Sequence, residues 1–447
     1  MKDTTREAKP PVVAEKPKQD GETLVRWTWV EPAVWTERML ATLETGIEGG
    51  KWFALMDKVW STKNLSRAVE KVVSNGGSAG IDRQNVRQME LHKESEVERL
   101  HRELREQTYQ VQAVRRVWIP KPGSNELRPL GIPAVRDRVV QTALRNVIEP
   151  IFERDFAPQS YGFRPGRGCK DALRQVDGLL KSGHKWVVDA DLKSYFDNIP
   201  HGGLMERVSR KISDGRVLSL IESLLKAGVM ESMKGWQPTE KGTPQGAVVS
   251  PLLANIYLDP LDWKMEQEGK KIVRYADDFV ILCKSETEAH AALEEVKRWA
   301  EGNGLTLHPE KTRIVDASQR GGFDFLGYHF ERGQKWPRKK SMDKLKDAIR
   351  GKTRRRNGRS MKAICGDLSR TLRGWFEYFK HCNPFTFERI DCYIRGRLRS
   401  ILRKRNGMKG RGRGKDHHRW PNTYFTAQGM MSLVQAFEAA SQSRCRA

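Results

Sequence analysis

Residues 272–283 read Ile-Val-Arg-Tyr-Ala-Asp-Asp-Phe-Val-Ile-Leu-Cys. Two short apolar runs, Ile272–Tyr275 and Phe279–Cys283, have the length and side-chain type of buried strands. Ala276, Asp277 and Asp278 separate them. The junction has two physical readings. Aspartate favours turns, so it can be a solvated hairpin tip. Alternatively, two adjacent carboxylates between apolar strands repel each other and call for a cation. A second acidic strand lies upstream, Trp186-Val-Val-Asp189-Ala-Asp191-Leu192. Strand alternation puts Asp189 and Asp191 on one face, with Asp191 nearer the strand end. Adding a nucleotide to a 3′-hydroxyl needs a deprotonated oxygen, an attacked α-phosphate and a stabilised leaving pyrophosphate. Two metal ions about 4 Å apart can serve all three. Mg²⁺ takes carboxylate oxygens and keeps several waters. Two sites of this kind in one chain favour the metal reading over the solvated turn.

The charge balance points the same way. Lys and Arg number 81 against 56 Asp and Glu, a net charge of +25 over 447 residues. Such an excess repels itself on folding and is usually matched by a polyanion. Nucleic acid is favoured because each neutralised phosphate releases counterions. An anionic membrane surface is the rival partner. No apolar run is long enough to span a bilayer, and the polar, Pro-rich residues 1–26 lack the apolar core of a signal peptide. They read as a disordered tail. The six cysteines form no CxxC pair, as expected of free thiols in a reducing cytosol.

Working outward, residues 27–75 read as a Trp-rich helical extension ending at Asn75-Gly76-Gly77. Residues 76–333 alternate short apolar strands with helices, an α+β pattern with a mixed antiparallel sheet. Leu65–Val73 is an expected helix closing the extension, and within 76–333 Leu91–Glu106, Val139–Ile148, Gly215–Ala227 and Thr287–Ala300 are expected helices. Val114–Pro120 is an expected strand leading into a Pro/Gly-rich hairpin. Leu305–Val315 and Phe323–Tyr328 are each read as strand-like. From residue 334 to 410 strands are expected to vanish. Leu368, Leu372, Trp375, Phe376 and Phe379 recur at helical spacing, with Arg370, Arg373 and Lys380 between them on another face. A second helix is expected from Phe385 to Arg405, carrying Arg395 and Arg399. Residues 411–447 form a basic C-terminal segment.

The blocks around the acidic sites resemble, in order and spacing, the reverse transcriptases encoded by bacterial group II introns. They are Ser78-Ala-Gly-Ile-Asp82, Ile119-Pro-Lys-Pro-Gly, Arg128-Pro-Leu-Gly-Ile-Pro, Arg136-Asp-Arg-Val-Val-Gln141, Ser160-Tyr-Gly-Phe-Arg-Pro-Gly-Arg167, Gly242-Thr-Pro-Gln-Gly246, Ser250-Pro-Leu-Leu-Ala-Asn-Ile-Tyr257, Tyr275-Ala-Asp-Asp278, Phe325-Leu-Gly-Tyr328 and Leu372-Arg-Gly-Trp-Phe-Glu-Tyr-Phe379. The resemblance implies a right-hand polymerase with fingers and palm, followed by an α-helical thumb, or maturase X domain, at 334–410. It implies a metal set of Asp191, Leu192, Asp277 and Asp278 holding two Mg²⁺ ions, with Mn²⁺ as a substitute, and dNTP substrates. Lys121 and Arg128 would grip the triphosphate; a Lys point charge and an Arg fork both suit phosphate oxygens. Phe196 would exclude a 2′-hydroxyl, and Pro244, Gln245 and Gly246 would lie against the incoming nucleotide. Arg164 and Arg167 would hold template or substrate backbone, with Gly162 and Gly166 letting main chain approach closely. Arg370, Arg373, Lys380, Arg395 and Arg399 would meet nucleic acid from the thumb. Ala247 departs from the family, which usually has Gly there.

Arg419-Trp-Pro-Asn-Thr-Tyr-Phe resembles the ending of members that lack an HNH endonuclease, often those of class IIC. His417-His418 alone makes no nuclease site. The resulting expectation is an RNA-directed DNA polymerase of the bacterial cytosol or nucleoid. It would bind its intron RNA as a monomer or homodimer, assist splicing as a maturase, and copy the intron into cDNA from a DNA primer at a target during retrohoming. The rivals are a domesticated or defence-associated reverse transcriptase and a splicing factor that has lost synthesis.

Overall fold

The computed structural model describes residues 26–47, 49–120, 127–231, 235–410, 412 and 414–445. It divides into two compact units, residues 1–176 with 188–314, and residues 177–187 with 315–447.

In the first unit, α1 (Glu37–Thr45), α2 (Met56–Val59) and α3 (Thr62–Asn75) build the extension. Thr36 caps α1 by accepting from the Met39 amide, satisfying one of its orphan donors. Asp214 accepts from the Leu55 and Met56 amides at 2.7 and 2.9 Å and also caps its own helix. One carboxylate thus ties the extension to the palm. Next come α4 (Val86–Leu91) and α5 (Lys93–Arg105), β1 (Val114–Pro120), β2 (Leu127–Ile132) and α6 (Val135–Glu153). The charged helix expected over Leu91–Glu106 is α5, and α4, opened by an Asn85–Gln88 capping box, precedes it. Helix α6 is buried on nearly every face. Its Ala143 carbonyl accepts from buried Asn64 of α3 at 3.0 Å, which satisfies an amide that would otherwise be costly in the core.

The remaining palm elements are α7 (Cys169–Lys181), β3 (Trp186–Asp191), α8 (Tyr195–Asn198), α9 (His201–Ser209), α10 (Gly215–Lys226), β4 (Val229–Glu231), β5 (Gly235–Gln237), α11 (Ser250–Gln267), β6 (Lys271–Tyr275), β7 (Asp278–Cys283), α12 (Glu286–Gly302) and β8 (Arg313–Asp316). Two four-stranded sheets result. The fingers sheet has the order β2-β1-β4-β5, and the palm sheet β6-β7-β3-β8. Strands β6 and β7 pair antiparallel with Tyr275 opposite Asp278. Strands β1 and β4 pair parallel.

In the second unit, β9 (Phe323–Phe325), β10 (Tyr328–Glu331) and β11 (Gln334–Pro337) form a small sheet. Helices α13 (Lys339–Lys352), α14 (Met361–Phe379), α15 (Phe385–Arg405), α16 (Asp416–Arg419), α17 (Asn422–Ala427) and α18 (Leu433–Cys445) follow. The core is aromatic: Trp375 and Phe379 stack at 4.8 Å, and Phe376 meets Phe387 edge-on at 5.5 Å. Buried Asp391 caps α18, accepting from Ser432 Oγ and the Leu433 amide.

Three expectations need correction. Phe323–Tyr328 is not one strand but a reversal, because Leu326 and Gly327 take left-handed φ values of 46° and 86°. Strands persist beyond residue 333, since β11 completes that sheet. Leu305–Val315 holds only a Leu192–Leu307 bridge and the short β8.

Candidate active site

The β6–β7 hairpin carries Asp277 at its tip. Ala276 stands at φ 59°, a conformation that a non-glycine residue adopts only when its surroundings hold it there. Two contacts do so. Arg274 has no exposure, and its Nη1 donates to the Ala276 carbonyl at 2.9 Å and to Asn255 Oδ1 at 2.9 Å. Its other face is forked onto buried Asp262, with Nε donating to Oδ1 and Oδ2, each at 2.9 Å. From outside, Gly162 lies against the tip. A Cβ there would meet the Ala276 nitrogen at 2.3 Å, so the predicted close approach is real at Gly162. A Cβ on Gly166 would meet nothing within 4 Å; its φ of 69° is what requires glycine.

Asp191 ends β3. Its carbonyl accepts from the His308 amide at 2.7 Å, and Leu192 bridges Leu307. The Leu192 side chain is buried, so its only metal-ligating group is the main-chain carbonyl. Burial pushes the Asp277 carboxyl above the ordinary range; the neighbouring Asp191 charge adds to this, while the Asp277 amide, Arg128 and Arg274 oppose it. Lys311 Nζ lies 2.6 Å from Asp191 Oδ2, and Arg313 Nε lies 3.3 Å from Asp189 Oδ2. Asp278 opens β7, half-buried. Among the described residues no three His, Cys, Asp or Glu side chains are close enough together to hold a metal ion. The structure thus brings Asp191 and Asp277 into mutual influence without closing a three-carboxylate cluster. A buried carboxylate whose ionisation is made costlier by a second carboxylate nearby, both beside a strand end, fits a hard, oxygen-seeking cation.

The nucleotide-binding expectations converge from distant parts of the chain. Arg128 Nε donates to Gln245 Oε1 at 3.1 Å, and the Gly131 amide donates to the Gln245 carbonyl at 2.7 Å. Gly246 sits at φ 113°, where a Cβ would meet the Gly131 carbonyl at 2.4 Å, and a Cβ on Gly131 would meet Pro244 Cβ at 3.2 Å. The Thr243 amide donates to the Phe196 carbonyl at 2.7 Å, fixing the loop beside the aromatic ring. Tyr195 is buried and donates to the Ala254 carbonyl at 2.6 Å, which leaves neighbouring Phe196 half-buried. Ala247 is absent from the positive-φ positions, so alanine is unstrained there. Lys121 lies outside the described residues.

Two predicted nucleic-acid contacts are corrected. Arg164 is buried; its guanidinium is forked onto Glu153 and donates to the Ala157 and Ser160 carbonyls at 2.6 and 2.9 Å. It holds its own loop. Arg399 is likewise buried, donating to the Trp420 carbonyl at 3.0 Å and Asn422 Oδ1 at 2.8 Å. Arg167 is half-buried and donates to the Pro158 carbonyl at 2.6 Å. Arg395 pairs with Asp391 at 3.7 Å. Arg370 pairs with Asp367 and Lys380 with Glu377, while Arg373 is exposed on α14. Sequence reasoning missed Asn255, Asp262 and Arg274, which carry the acidic hairpin. Arg274 inside an apolar strand was the available signal.

Comparison with known proteins agrees with this geometry. The reverse transcriptase (RNA-dependent DNA polymerase) family matches residues 119–330, and the group II intron maturase-specific domain matches residues 342–420. Protein YkfC of Escherichia coli is 34% identical over 350 residues, covering 69% of this chain and 87% of YkfC. Group II intron-encoded protein LtrA of Lactococcus lactis subsp. cremoris is 34% identical over 300 residues, covering 53% of this chain and 49% of LtrA. The chain thus spans about half the length of LtrA. Its palm and fingers are those of an RNA-directed DNA polymerase, and the chain belongs to the group II intron reverse transcriptase/maturase family.

Proposed function

We propose that this chain binds a group II intron RNA, assists its splicing, and copies it into cDNA from a DNA primer at a target site. Asp191 and Asp277, with the Leu192 carbonyl and Asp278, would hold two Mg²⁺ ions. When bound, those ions supply the charge that lowers the primer hydroxyl's pKa and stabilises the leaving pyrophosphate. The chain's own residues do the rest. Arg128 presents a fork for triphosphate oxygens, and its bond to Gln245 sets the distance between fingers and nucleotide-binding loop. Phe196, locked from behind by Thr243 and Tyr195, presents a ring where a 2′-hydroxyl would fall. The observation that carries this reading is the Arg128–Gln245 link, close enough to Asp277 for the Arg128 charge to act on it.

Phe196→Ala is expected to raise ribonucleotide incorporation relative to deoxyribonucleotide by about 10–100-fold, since a steric clash discriminates by a difference of about 1.4–2.8 kcal/mol. Single-nucleotide extension with rNTP and dNTP measures the ratio; an unchanged ratio removes Phe196 from sugar selection. The splicing role has its own test. At Mg²⁺ concentrations too low for self-splicing, the protein should restore splicing of its intron RNA. Asp277→Asn should do so equally well, because that role needs binding and not nucleotidyl transfer. Failure of both proteins to promote splicing argues for a reverse transcriptase with another RNA partner.

A further inference from the structure

Phe163 stands out in the loop beside the catalytic hairpin. It is half exposed, at 50%, between two buried neighbours, Gly162 and Arg164. Its φ is 56°, in the left-handed region that a bulky residue avoids. Neither feature helps the fold: an exposed ring buries little apolar surface, and the backbone costs energy.

The loop is nonetheless fixed to the hairpin through Gln159–Gly162. Ser160 bridges Arg274 of β6. The Tyr161 amide donates to the Arg274 carbonyl at 2.8 Å, and the Arg274 amide to the Gln159 carbonyl at 3.0 Å. The Gly162 carbonyl accepts from buried Asn255 at 2.8 Å, and Gly162 is pressed against Ala276. Arg164 is saturated by Glu153 and two carbonyls. Phe163 is thereby carried rigidly beside Tyr275, with ring centroids 6.3 Å apart and planes tilted by 41°.

The identity of what covers this ring follows from the reaction. The primer's 3′-hydroxyl must reach Asp277, and Gly162 already touches the residue before it. The group that occupies the space over Phe163 is therefore the nucleotide bearing that hydroxyl. A flat apolar ring suits it, because every nucleotide offers a sugar and a base face whatever its sequence. We propose that Phe163, with Tyr275 alongside, seats the terminal nucleotide of the primer and so aligns its 3′-hydroxyl. The proposal rests on the polymerase reading above.

The test measures steady-state extension of a primer–template by the full chain and by Phe163→Gly, Phe163→Leu and Phe163→Trp. Phe163→Gly removes the ring and is at ease at φ 56°, so its thermal midpoint should equal or exceed that of the wild type. Its KM for primer–template should rise about tenfold or more, with KM for dNTP unchanged within about twofold. Phe163→Trp should restore tight primer use. Phe163→Leu, which keeps bulk without a flat face and the same backbone cost, should fall between. An unchanged primer–template KM in the glycine and leucine variants, beside a wild type that extends normally, overturns the seat and leaves the polymerase reading intact. A rise that follows the template overhang and not the primer end also overturns it. A folded wild type that extends no primer overturns the reading on which the seat rests.

Discussion

Asp277→Asn is expected to lower primer extension by about a thousandfold or more, roughly 4 kcal/mol of transition-state stabilisation. The substitution keeps the shape of the tip and removes one negative charge from the site proposed to hold divalent cations against a developing phosphate charge. The fold should not suffer. Burial, with Asp191 adding its charge, holds the Asp277 carboxyl above its ordinary value. A carboxyl raised on folding contributes stability in acid, and that contribution is lost as pH rises through its folded value. Without metal, ionising the buried Asp277 is therefore costly, and the uncharged asparagine carries no such cost. The thermal midpoint of Asp277→Asn in metal-free buffer at pH 7 should equal or exceed that of the wild type. Initial rates and a melting scan on one preparation check both halves. A large loss of stability would mean that the activity loss reports unfolding.

Asp262→Ala is expected to be the most destabilising single change near the site, at about 3–5 kcal/mol. Asp262 and Arg274 both have side chains with no exposure, and their ion pair lies in the palm core. Removing the carboxylate strands a guanidinium that Asp262 keeps above its ordinary pKa despite burial. The cost is the unpaired charge, not the worth of the pair, so Asp262→Ala combined with Arg274→Met should recover part of the stability. It should not recover activity, because Arg274 also holds the Ala276 carbonyl. Urea unfolding of the two variants and the wild type reads the first effect, and primer extension reads the second. If the double variant copies templates at the wild-type rate, Arg274 does not position the turn.

The hairpin was legible because apolar strands interrupted by two aspartates leave few physical options. Helix α15 was legible to its ends, since Phe385–Arg405 is a long periodic run closed by Asn406-Gly407. The Phe323–Tyr328 reversal was hidden for a local reason: its residues are almost all apolar, and only Gly327 marks the turn. Arg164 and Arg399 misled for a different one. A sequence shows a positive charge but not whether a partner waits for it. Glu153 lies eleven residues from Arg164 and reads as part of a separate helix. The Arg128–Gln245 bond joins residues 117 apart, so no spacing rule could find it. Only family resemblance placed both beside one nucleotide. The acidic hairpin was therefore readable, and the buried groups that position it were not, because positioning depends on contacts between distant segments.

The most direct test of the central claim is extension of a DNA primer on an RNA template by the wild-type protein with dNTPs and Mg²⁺, run beside Asp277→Ala/Asp278→Ala. Full-length cDNA from the wild type, abolished by chelation and absent from the variant, is the predicted result. A folded wild-type protein that binds RNA yet extends no primer would contradict it, and would leave a splicing factor that carries its aspartates without using them.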